Sequence, residues 1–120
     1  MSFHKLAILL ILFLMLCPAQ TAPNSLAGTW ELELSFPAIG IDSIKLELTL
    51  QQNGTMLTGT ASTATGGNSI KGSVNGADIE FTEVIASGDA IFKGKIIDAS
   101  ILKGTMDAPP YGAGNWTAKR

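Results

Sequence analysis

Glu83 is the residue best placed to do chemistry, because it interrupts an apolar alternation. Ile79, Phe81 and Ile85 share its parity, so strict period-two alternation would carry its carboxylate to the buried side with them. A carboxylate there needs a partner or a ligand, since leaving it unpaired away from water is costly. In a binding site it would accept a hydrogen bond or pair with a cationic group. The other arrangement is a bulge or strand end near Thr82, which turns Glu83 outward and Val84 inward. The cost of burying a carboxylate favours that second arrangement. Lys71, Lys93, Lys95 and Lys103 form the next candidate set, at outward positions of neighbouring strands. Interleaved with Glu80, they read as a solvated face rather than a binding patch. Asn53-Gly54-Thr55 and Asn115-Trp116-Thr117 match the glycosylation pattern, but turn chemistry explains Asn53 better.

Most other chemistry is excluded by what the chain lacks. Its 120 residues hold one histidine, His4, and one cysteine, Cys17, and both fall in an N-terminal segment that reads as a secretory signal peptide. Lys5 is followed by eleven unbroken apolar residues, Leu6 to Leu16, and then by Cys17-Pro18-Ala19. That run is well short of the ~20 residues needed to span a bilayer, and cleavage after Ala19 fits the small-residue pattern. The expectation is a signal peptide over 1–19 and a secreted or periplasmic protein. Lipid anchoring at Cys17 is disfavoured, because Leu16 stands where such a signal wants a small residue. The remaining chain has no thiol, no imidazole and so no disulfide, no Cys/His metal site and no histidine base. No cofactor is expected. An enzyme would need a carboxylate pair, and no two acidic residues are forced together, so a non-enzyme is expected. Without Lys5, ten acidic residues face seven basic ones, a net charge of −3 with no basic run. That argues against nucleic acid and anionic membrane surfaces as partners.

The elements that position these residues are strands. Leu57-Thr58-Gly59-Thr60 is echoed by Ile70-Lys71-Gly72-Ser73, Phe92-Lys93-Gly94-Lys95 and Leu102-Lys103-Gly104-Thr105. In each, the apolar residue and the glycine share one face, and inward glycines suit a tightly curved sheet. Residues 20–27 read as a flexible lead-in and 28–120 as one domain. Trp30, Leu32, Leu34 and Phe36 form the first inward face; Ile44, Leu46, Leu48 and Leu50 form the second. Asn53-Gly54 and Asn75-Gly76 mark tight hairpins. A loop is expected from Ser62 to Asn68, another from Ala108 to Gly114, and turns near Ser87-Gly88-Asp89 and Asp98-Ala99. Eight short strands joined by turns predict an all-β fold, an eight-stranded antiparallel up-and-down barrel.

Gly28-Thr29-Trp30 resembles the Gly-x-Trp that opens calycin barrels: lipocalins, fatty-acid-binding proteins and avidins. Leu57-Thr58-Gly59-Thr60-Ala61-Ser62-Thr63-Ala64 and the closing Trp116-Thr117-Ala118-Lys119-Arg120 look most like the avidin pattern. The resemblance implies that Arg120 packs across Trp30 and closes one barrel end through a cation–π contact. It also implies a lipocalin-like or avidin-like barrel. Avidins place a biotin-touching tyrosine where this chain has Ala61, and inner tryptophans where it has Phe92 and Met106. Biotin binding is therefore not expected.

Two functions from different classes fit this reading. The first is a binding module for a small apolar ligand, with Phe36, Leu48, Phe81, Glu83, Phe92 and Trp116 around the pocket. The second is a filled barrel that contacts an extracytoplasmic protein, resembling exported barrel inhibitors of proteases. Inward aromatics of a small barrel are more often core than pocket. An empty interior of a few hundred cubic ångströms would favour the ligand, and a packed one the partner.

Overall fold

Alternation over Gly28–Phe36 turns Trp30, Leu32, Leu34 and Phe36 to one side, and all four are buried while Glu31 and Glu33 face water. The same rule, applied strand after strand, builds the molecule. The computed structural model describes residues 25–120. The signal peptide read over 1–19, with His4 and Cys17, and residues 20–24 of the lead-in lie outside the described residues.

Eight strands follow in order: β1 (Gly28–Phe36), β2 (Ile41–Asn53), β3 (Met56–Thr63), β4 (Gly66–Asn75), β5 (Asp78–Ile85), β6 (Gly88–Asp98), β7 (Ile101–Ala108) and β8 (Gly112–Lys119). Each pairs antiparallel with the next, and β8 returns to β1 from Glu31↔Lys119 to Ser35↔Asn115. The sheet is a closed barrel, as the strand pattern predicts. Closure leaves no edge to template pairing with another chain. Among the described residues the only helix is a 3₁₀ turn at Pro37–Ile39, ended by Gly40 at φ 75°.

Several connections differ from the sequence expectation. The Gly/Ser/Thr-rich stretch expected as a loop from Ser62 to Asn68 is mostly strand. Ala61↔Asn68, Ser62↔Gly67 and Thr63↔Gly66 pair, leaving Ala64-Thr65 as the turn. Small side chains pack poorly as strand residues, but ladder hydrogen bonds to an established neighbour override that weak preference. The loop expected from Ala108 to Gly114 shortens likewise, with Ala108 paired to Gly112. At the first Asn-Gly hairpin Asn53 pairs with Met56, so Gly54 and Thr55 are the central residues. Gly54 takes the positive φ (62°) at the first of these, the glycine position of a II′-type turn.

The core is the barrel interior. Gly94 and Gly104 face each other across β6 and β7, and Trp116 lies beneath them. A Cβ on Gly94 would come within 2.8 Å of Trp116 Cζ2. The glycine pair makes room for the indole.

Candidate functional site

The barrel has two unlike ends with an aromatic middle between them. At one end the chain enters through Leu26, buried although it falls in the stretch read as a lead-in. Its carbonyl accepts a hydrogen bond from Trp30 Nε1–H at 2.9 Å, and its N–H donates to Gln52 Oε1 at 2.8 Å. The Arg120 guanidinium lies 4.2 Å from the centroid of the Trp30 ring. Arg120 is further held by three carbonyls: Nε donates to Ala99, Nη1 to Ala27 and Nη2 to Ser25, at 2.9 to 3.0 Å. A planar fork with five donors suits this work, since it can stack on a ring and hold three carbonyls from two chain segments at once.

Phe81, Phe92 and Trp116 occupy the middle. Phe81 and Phe92 stack with centroids 4.5 Å apart, and Trp116 meets both edge-on at 5.3 and 5.9 Å. Trp116 Nε1–H is shared between the carbonyls of Lys93 (3.2 Å) and Thr105 (3.0 Å). Leu48 is paired with Trp30 and fully buried. The structure thus brings Phe81, Phe92 and Trp116 together, but as a cluster filled by its own members. Phe36 stands apart toward the opposite end, 5.2 Å from the half-exposed ring of Tyr111.

That opposite end carries Glu83. The bulge favoured from sequence does not form. β5 runs in unbroken register, with Glu83 opposite Ile70 on one side and Ala90 on the other, and Val84 is the exposed neighbour. The reason is a partner that the expected loop concealed. Asn68, exposed at the rim of β4 but on the same parity as the buried Ile70, donates from Nδ2 to Glu83 Oε2 at 3.0 Å. Burial pushes the Glu83 carboxyl above its usual range, and the Asn68 hydrogen bond pulls it part of the way back. The pair can accept or release a proton and can accept a hydrogen bond from a small molecule.

Asn68, Leu26 and Tyr111 are the residues that sequence reasoning missed. Parity could have found the first two: Asn68 lies two before Ile70, and Leu26 four before Trp30. Tyr111, in a connection between strands, carries no such signal. Among the described residues no group of three His, Cys, Asp or Glu could hold a metal ion, and no helix is long and apolar enough to cross a membrane. Concavities of about 620 and 630 Å³ lie on the outer wall, the first over β4 to β7 and the second over β6 to β8.

No family model matches the sequence, and no curated protein sequence matches it. Similarity appears at the level of the fold. A solved structure of a redesigned β-barrel superposes with a TM-score of 0.59 at 12% identity, over 79% of this chain and 90% of the designed one. At that identity the likeness shows the barrel fold alone.

Proposed function

We propose that this chain is an exported, calycin-like barrel with a filled interior, which acts as a protein-interaction module through its outer surface. The observation that carries the reading is the self-contained packing of Phe81, Phe92 and Trp116, each at most 1% exposed. A ligand entering among them would have to break aromatic contacts worth about 0.5–1.5 kcal/mol per pair beyond area burial, before gaining anything of its own. Arg120 stacked on Trp30, at the Gly28-Thr29-Trp30 segment, supports the calycin likeness. The reading assigns no catalytic step, because the Glu83 carboxylate meets an amide rather than a second acid or base. A titration with fluorescent apolar probes tests it. The expected result is no saturable response; quenching of Trp116 that saturates at one probe per chain would overturn the filled interior.

A second reading, the ligand module, is favoured by Glu83 itself. A partly desolvated carboxylate near the Phe36 and Tyr111 end could orient a small molecule that carries a donor or a cation. Under that reading Glu83→Gln weakens binding and leaves the fold intact.

A further inference from the structure

We infer that the tip of the β3–β4 hairpin, residues 63–69, is a flap that the Asn68–Glu83 hydrogen bond latches to the barrel rim and that ionisation of Glu83 loosens. The flap requires no cavity, so it stands independently of whether the interior holds a ligand.

The ladders show why the tip depends on a latch. β3 pairs with β2 only as far as Ser62↔Glu47, and β4 pairs with β5 only as far as Ile70↔Glu83. Beyond those pairs the tip is held by its own ladder, from Ala61↔Asn68 to Thr63↔Gly66, and Thr63 to Ser69 are all exposed. The Thr63 and Thr65 hydroxyls bond to each other, 3.0 Å apart and within the tip. Among the described residues, Asn68 Nδ2 to Glu83 Oε2 is the one side-chain hydrogen bond from the tip to another hairpin. Neighbouring connections at this end are tied elsewhere: Ser87 Oγ donates to the Pro109 carbonyl at 2.7 Å, and Phe36 lies against Tyr111. A short exposed hairpin segment with few apolar contacts belongs to the low-stability end of a structure.

Glu83 makes the latch sensitive to protons. It is the one buried charged side chain among the described residues. No charge faces it: Ile70 and Ala90 flank it in register, and β3 carries no charged residue. The nearest charges along β4 and β6, Lys71 and Asp89, are exposed beside Thr82 and Val84 on the outer wall. With the flap closed, burial holds the carboxyl above 4.5 despite the Asn68 hydrogen bond. With the flap swung away, water reaches the carboxylate and the ordinary value returns. The sign follows by linkage. The preference for the closed flap is fully present below 4.5 and is lost as pH rises through the closed-state value. A neutral carboxyl also has an O–H to offer Asn68 Oδ1, a bond the carboxylate cannot make.

The test is amide hydrogen exchange, read by NMR on the parent, Asn68→Ala and Glu83→Gln. Each rate is divided into the unstructured rate at the same pH, so that only protection is compared. In the parent, protection of the tip amides should fall severalfold from acid below 4.5 to neutral pH. The hairpins at Asn53-Gly54 and Asn75-Gly76, at the other end, should not follow. Asn68→Ala should lose about two- to tenfold of the tip protection in acid. Glu83→Gln keeps an acceptor for Asn68 and cannot ionise, so its tip should keep the parent's acid protection at every pH. The Asn68 side-chain amide signals of the parent should titrate together with the Glu83 carboxyl carbon. Tip protection that ignores pH, or rises with it, overturns the proposal. So does a pH dependence that survives Glu83→Gln, or full tip protection in Asn68→Ala. An equal loss at the opposite hairpins also overturns it, since the whole barrel rather than a flap is then opening. If Glu83→Gln fails to fold, the parent titration and Asn68→Ala decide the matter.

Discussion

Trp30→Ala should remove a large share of the stability of the domain. The Trp30 side chain is 1% exposed, so truncation opens a cavity the size of an indole at the end capped by Leu26 and Arg120. Large-to-small changes of a buried tryptophan cost about 3–5 kcal/mol. The Leu26 carbonyl also loses its 2.9 Å partner, and Arg120 loses the ring beneath it. An exposed cation–π contact is worth about 0.5–1 kcal/mol and a hydrogen bond about 1 kcal/mol, both already within the truncation range. Against a total of roughly 5–15 kcal/mol, the loss is severe. At about 4–8 °C per kcal/mol, Tm should fall by at least about 12 °C. Urea titration followed by Trp116 emission measures the change without the missing fluorophore. Arg120→Met, and the double variant, complete a cycle whose coupling should be about 0.5–1 kcal/mol. A loss below about 1 kcal/mol for Trp30→Ala would show that this end is not closed in the way described.

Three further outcomes are expected. Gly94→Ala should cost about 1–3 kcal/mol or more in thermal unfolding, because its Cβ would meet the Lys103 carbonyl and sit 2.8 Å from Trp116; Gly40→Ala meets nothing within 4 Å and pays only for its positive φ. Burial raises the Glu83 carboxyl above the ordinary 4.5, so the folded state holds that proton more tightly than the unfolded state does. The stability contributed by its protonated form is therefore fully present below 4.5 and lost as pH rises through the folded value. Glu83→Gln should match the parent in acid and equal or exceed it at neutral pH; a variant less stable at neutral pH than in acid, relative to the parent, would contradict the sign. Phe92→Ala should make apolar-probe binding appear where the parent shows none, by opening space between Phe81 and Trp116.

Hydrophobic periodicity was sufficient for the architecture. Side chains alternate with period two, so Trp30 to Phe36 and Ile44 to Leu50 declare their buried faces without reference to any neighbour. Eight such segments joined by turns have few ways to close. The Arg120–Trp30 contact was also legible, through the end motifs of the chain. The direction of Glu83 was not legible. Its alternation and its burial cost point opposite ways, and the balance depends on a partner fifteen residues away. Asn68 was hidden because Ser62 to Asn68 has loop composition, while pairing to Ala61 and its neighbours makes part of it strand. Whether the interior is a pocket or a core likewise lies beyond sequence. Parity says that Phe81, Phe92 and Trp116 point inward, but strand stagger decides whether their rings meet. Register and ring contact are relations between segments, set by the closed ladder rather than by any one strand.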